Sequence, residues 1–181
     1  MCSTESDLDK TLAFMQSEEF DKLIAATKEF WDECDYMGNP GAAEDDIIKL
    51  KETFTGFHKA PAPEGYFAFL RKLNGFKYRD FDIYSCEQAV NEHWVGFYFI
   101  FGTKKETFCS YDCGNGKYVT LAAEPFELLS DTNDEGDSAI VETTYHTRET
   151  YDSFAELFKT ILMHTLPAEK LCKVYPALKG W

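Results

Sequence analysis

The chain has 181 residues, 44% of them hydrophobic and 16% aromatic, which suffices for one domain with a substantial core and excludes a disordered polymer. Thirty-two acidic against eighteen basic residues give a net charge of −14, a field that repels nucleic-acid phosphates and anionic membranes and attracts cationic partners. No run approaches the roughly 18 apolar residues of a membrane span. The polar, acidic start Met1-Cys2-Ser3-Thr4-Glu5-Ser6-Asp7 lacks the basic and apolar stretches of a signal peptide, so the expected location is the cytoplasm.

Residues 1–36 read as helical, as one long helix or two short ones. Leu8, Leu12 and Met15, then Phe20, Leu23, Ile24, Thr27, Phe30, Trp31 and Cys34, recur at helical spacing. Met37-Gly38-Asn39-Pro40-Gly41 interrupts. A second helical segment runs from about Ala42 to Thr55, with Glu44, Asp45 and Asp46 at the end where the helix dipole favours acids and Ile47, Leu50 and Phe54 as its inner stripe. A third begins at Pro63, tolerated at a first helical position, carries Tyr66, Phe69, Leu70 and Leu73 on one face, and ends at Asn74-Gly75, where glycine suits the left-handed C′ conformation.

The period then changes to two. Phe81-Asp82-Ile83-Tyr84 reads as a short strand. Trp94–Phe101 is apolar on both faces and reads as one central strand. Thr107–Asp112 and Lys117–Leu121 flank Gly114-Asn115-Gly116, a tight-turn signal that makes the sheet antiparallel. Residues 123–152 hold nine acids and one base, Arg148, a local −8. Within that segment Ser130–Ser138 reads as a solvated loop and Ala139–Tyr145 as a further strand. Ser153 and Glu156 form a capping box for a last helix bearing Phe154, Leu157, Phe158, Ile161 and Leu162. The tail from Leu166 carries Val174, Tyr175, Leu178 and Trp181, enough apolar surface to pack down. Helices, an antiparallel meander and a helix define an α+β fold.

Chemistry-bearing motifs are scarce. There is no phosphate loop, nucleophile elbow or paired-histidine motif. His58, His93, His146 and His164 are isolated. The six cysteines read as reduced thiols. Cys109 and Cys113 would lie about 13 Å apart on a strand rising about 3.3 Å per residue, too far for a shared metal. We therefore expect no catalytic residues, no metal and no cofactor. The acids Asp80, Asp82, Glu87, Glu92, Glu124, Glu127, Asp131, Asp134, Glu135 and Asp137 are the candidate contacts for a cationic partner.

The order of short motifs resembles the Smi/Knr family of the SUKH superfamily. The run Ala43-Glu44-Asp45-Asp46-Ile47 is followed by Pro63-Glu64-Gly65-Tyr66, Phe69-Leu70 and Asn74-Gly75. Later pieces are similar to the YrhA-like branch: Phe81-Asp82-Ile83-Tyr84, Asn91-Glu92, Ile100-Phe101-Gly102, Tyr111-Asp112, Gly116-Lys117-Tyr118 and Asp152-Ser153-Phe154. The resemblance spans roughly residues 20–165. It departs at Ala62, where Leu is usual, at Ser85, where Gly often follows the strand, and in a longer acidic insert at 123–150.

The resemblance implies a twisted, mainly antiparallel sheet flanked by helices. It makes 1–181 one SUKH-like domain with a helical extension at 1–19 and a tail at 166–181. It casts Pro63, Tyr66, Phe69, Leu70, Asn74, Gly75 and Gly102 as fold-determining. It also implies a non-enzymatic bacterial immunity protein that neutralises a cognate toxin, the partner being a basic toxin domain, with no nucleic acid or membrane involved. The alternatives are a regulatory or scaffold binder without a toxin, and a small-molecule-binding domain or small enzyme.

Overall fold

A computed structural model describes residues 5–27, 40–57, 59–92, 94–128 and 140–178, with backbone alone for Glu92, Trp94, 125–128 and 140–142. The described part of the N-terminal region forms two helices, Asp7–Met15 (α1) and Glu18–Thr27 (α2). Ser17 separates them: its hydroxyl donates to the Phe14 carbonyl (2.6 Å) and accepts the Phe20 N–H (3.2 Å), ending one helix and capping the next. Phe30, Trp31, Cys34 and the breaker at 37–39 lie outside the described residues. The inner face of α1 differs from the expected one at Leu12 alone, Leu8 and Met15 facing the core. Leu12 is exposed and Thr11 and Met15 are buried, because the helix docks on its Asp7, Thr11 and Met15 side.

Glu44–Phe57 (α3) buries the expected Ile47, Leu50 and Phe54. Glu64–Lys72 (α4) follows directly on Pro63 and buries every residue from Gly65 to Leu70. Leu73 closes it through an N–H bond to the Phe69 carbonyl (2.9 Å), so C′ is Asn74 and the left-handed Gly75 (φ 93°), expected at C′, lies one position further on.

The strands are Phe76–Tyr78 (β1), Phe81–Ile83 (β2), Trp94–Val95 (β3), Tyr98–Lys104 (β4), Thr107–Asp112 (β5), Lys117–Leu128 (β6) and Ile140–Tyr151 (β7). They form a twisted sheet in the order β1-β2-β4-β5-β6-β7, every pair antiparallel. β3 pairs with the start of β4 and β2 with its end, on the edge that β5 leaves free. A helix, Cys86–Glu92 (α5), bridges β2 to β3. Phe154–Thr165 (α6), Ala168–Val174 (α7) and a 3₁₀ turn at Pro176–Leu178 complete the chain. The fold is thus α+β, with helices against the sheet.

Trp94–Phe101 is not one strand. Gly96 (φ 58°) and Phe97 form a two-residue turn between β3 and β4, with Val95 opposite Tyr98. Glycine at the first loop position is what a type II′ hairpin requires. The tail does pack down, through Val174 on α7. Two strands run longer than the sequence signal: β6 continues past Leu121 to Leu128, and β7 past Tyr145 to Tyr151.

The core is aromatic and centred on Phe154. Its ring lies 4.9 Å from Phe69, 5.8 Å from Tyr66, Phe101 and Tyr118, and 5.9 Å from Phe158. Tilted and edge-on pairs at such distances add about 0.5–1.5 kcal/mol each beyond burial. Tyr66, itself stacked on Phe101 at 4.8 Å, satisfies its buried hydroxyl by donating to the Tyr84 carbonyl (2.8 Å). Phe154→Ala should lower unfolding stability by about 3–5 kcal/mol, as for other large aromatic truncations. Denaturant titration measures this, and a loss under 1 kcal/mol would show that the core is organised elsewhere.

Candidate protein-interaction surface

The α3–α5 side of the molecule carries the most distinctive surface. α5 starts at a reciprocal cap: the Ser85 hydroxyl accepts the Gln88 N–H (3.4 Å) and the Gln88 side-chain carbonyl accepts the Ser85 N–H (2.9 Å). The Asn74 side chain accepts the Cys86 N–H (2.9 Å), tying the end of α4 to the start of α5. Between α3 and α5 lies an open groove of about 440 Å³, lined by Asp46, Lys49, Asn74, Cys86, Glu87, Val90 and Asn91. Cys86 is the buried thiol of this groove. Burial, reinforced by the nearby Asp46 carboxylate, pushes its thiol up to about 11. Burial likewise pushes Cys113 up to about 11 and Cys109 higher still.

Two phenylalanines outside the groove are exposed, Phe57 at the end of α3 and Phe97 in the β3–β4 turn. Phe54 of α3 packs on Phe99 (5.6 Å) and Tyr111 (6.3 Å), fixing the C-terminal end of α3 over the start of β4 and the end of β5. Phe57, one turn past Phe54, is 65% exposed, and Phe97, at the tip of the β3–β4 turn, is 73% exposed. The Phe97 carbonyl accepts the Cys113 N–H (2.9 Å), so its backbone is anchored while its ring meets solvent. Neither residue follows from the sequence pattern, though Gly96 was the available signal for the turn that displays Phe97.

Among the described residues, the acids singled out from sequence do not converge. Asp80 is exposed in the β1–β2 turn, where its carbonyl accepts the Lys105 N–H (2.8 Å). Asp82 is on β2, half-buried. Glu87 lines the groove, and Glu92 ends α5. Glu124 is on β6, separated from β2 by β4 and β5, and Glu127 lies further along the same strand. Asp131, Asp134, Glu135 and Asp137, with the expected loop, lie outside the described residues. The acids of 123–152 with described side chains are partnered. Glu124 meets Arg148 (3.0 Å) and His146 (3.7 Å), Glu149 meets Lys104 (3.6 Å), and Asp152 meets Lys117 (2.6 Å).

The motif residues Pro63, Tyr66, Phe69 and Leu70 are all buried, while Asn74 and Gly75 join α4 to α5 and β1. Gly102 pairs with Ile83 and Cys109 in mid-sheet. Among the described residues no group of three His, Cys, Asp or Glu side chains is placed to hold a metal ion. No described helix is long and apolar enough to cross a membrane. Comparison with protein-family models, curated proteins and solved structures finds no match.

Two tests follow from these environments. At pH 8 a thiol with a pKa of about 11 is thiolate in roughly one molecule per thousand. Iodoacetamide, read by peptide mass mapping, should therefore alkylate Cys86 about a hundred-fold more slowly than glutathione, with the rate climbing as pH approaches 11. An ordinary rate would make Cys86 a reactive group of the groove.

The second concerns Asp82. Burial pushes its carboxyl up, with Lys77 opposing, and its Oδ1 is buried without a hydrogen-bond partner. A folded-state value above the unfolded one means that the ionised form disfavours folding at pH 7. That cost vanishes as pH falls through the folded value. Asp82→Asn should raise the Tm by about 1–3 °C at pH 7 and lose the gain in acid. A lower Tm at pH 7 would show that the charge is satisfied in the fold.

Proposed function

We propose that this chain is a protein-binding domain acting inside the cell as an immunity protein, its partner a toxin domain with a basic surface. The observation that carries the binding reading is Phe97, a large ring 73% exposed on an anchored hairpin. Aromatic side chains on rigid backbone are the usual anchors of protein interfaces, since they desolvate much area at little entropic cost. The −14 charge supports a cationic partner, because opposite fields accelerate encounter. The groove beside Asp46 and Glu87 offers carboxylates to a lysine or arginine of such a partner. The resemblance to the Smi/Knr family supplies the toxin.

Co-expression with the product of the adjacent gene tests the proposal. The reading expects that product to kill cells alone, to be tolerated with this chain, and to co-elute with it. Phe97→Ala should weaken the complex at least about ten-fold while leaving thermal stability unchanged. A harmless neighbour moves the reading to a regulatory binder, and unaltered affinity in Phe97→Ala removes the hairpin from the interface.

A further inference from the structure

The arm formed by α1 and α2 buries Met15, Phe20 and Leu23 in the core, and its polar attachment to the rest of the fold centres on one carboxylate. Asp7 Oδ2 accepts the Gly65 N–H (2.7 Å) and the Tyr118 hydroxyl (2.7 Å), and Oδ1 accepts the Phe154 N–H (3.0 Å) and, more distantly, the Thr11 hydroxyl (3.4 Å). Gly65, Tyr118 and Phe154 lie 58, 111 and 147 residues further along the chain. The two amides belong to the first turns of α4 and α6, where helical N–H groups lack intrahelical partners and the dipoles favour an anion.

Tyr118 completes the seat. Its fully buried hydroxyl accepts the Tyr66 N–H (3.2 Å), which leaves its proton for Asp7. Gly65 makes room, since a methyl there would overlap the Asp7 carboxylate and the Thr11 hydroxyl. The other polar attachments of the arm are peripheral. Glu19 meets Lys159 (2.7 Å) and the Tyr175 hydroxyl, and Lys72 donates to the Met15 carbonyl and lies 4.4 Å over the Phe20 ring.

We propose that the Gly65 and Phe154 amides with the Tyr118 hydroxyl form a carboxylate receptor whose ligand, Asp7, is tethered, so that the arm is a latch releasable without unfolding the sheet. The arm contributes no strand, and the rings packed on Phe154 come from α4, β4, β6 and α6, the arm meeting that cluster through Phe20, 6.2 Å from Phe158. On release, water reaches the two amides, so neither is left as a buried orphan. That is the condition for local opening to cost less than global unfolding.

Hydrogen exchange on the full chain distinguishes a latch from an ordinary buried contact. Asp7→Ala removes the ligand, while Gly65→Ala keeps it and fills its seat with a methyl. In sodium chloride, both variants should speed amide exchange in 8–27 about thirty-fold or more, with β4–β6 changing less than about threefold. Sodium formate at equal concentration should restore protection in Asp7→Ala and not in Gly65→Ala. Equal loss of protection across arm and sheet, an unchanged arm, or formate acting alike on both variants would overturn the proposal.

Discussion

Phe154 is held twice over, by its ring and by its amide. Its ring packs against Tyr66 and Phe69 of α4, Phe101 of β4, Tyr118 of β6 and Phe158 of α6. Its amide donates to Asp7 on α1. The position follows from the cap before it. Ser153 accepts the Glu156 N–H (3.2 Å) and Glu156 reaches back to the Asp152 N–H (2.9 Å), which sets α6 to begin where β7 ends and turns the first helical side chain inward. Hydrophobic packing and helix capping therefore act on the same residue. The orientation of α6 on the sheet, and with it that of α4, is fixed by their agreement.

The charge of the chain reads differently once its neighbours are known. A segment of −8 suggests one dense acidic face, yet Glu124, Glu149 and Asp152 each stand beside a base, and Glu19, Glu44 and Glu64 beside Lys159, Arg71 and Lys51. Exposed pairs of this kind contribute little to stability, with a median of about 0–1 kcal/mol. They lower the local field, so an acid-rich stretch of sequence need not be an acid-rich patch. Among the described residues, acids also lie on the α3–α5 side at Asp45, Asp46, Glu52 and Glu87.

Local rules made much of the fold legible. The Ile47, Leu50, Phe54 stripe, the Ser153 cap and the turn at Asn115-Gly116 are set by neighbours a few residues away, and each is where the pattern puts it. α5 escaped notice although Ser85 and Gln88 repeat the capping pattern of Ser153 and Glu156, because its seven residues are too short for a periodicity to emerge. The β3–β4 turn was hidden because Phe97 is apolar and Gly96 alone marked it. Asp7 was beyond reach for a different reason. Acids in a first helical turn are ordinary, and nothing near it in sequence discloses donors 58 to 147 residues away. The candidate surface shares that opacity, since it depends on which aromatics the core leaves outside.

Exposed aromatics and diffuse charge would act on different stages of binding. A net field spread over the surface works at range and is damped beyond a Debye length of about 8 Å at physiological ionic strength, so it governs how often partners meet. A ring held on a two-residue turn works only in contact, where lost desolvation appears in the dissociation rate. In this chain the two are separable in sequence, because Phe97 and Phe57 owe their exposure to hairpin and helix-end geometry and not to the acids around them. An immunity protein benefits from that separation. If the chain is an immunity protein, as proposed, capture must outpace the toxin's encounter with its target while retention must last much longer, and different residues would set each.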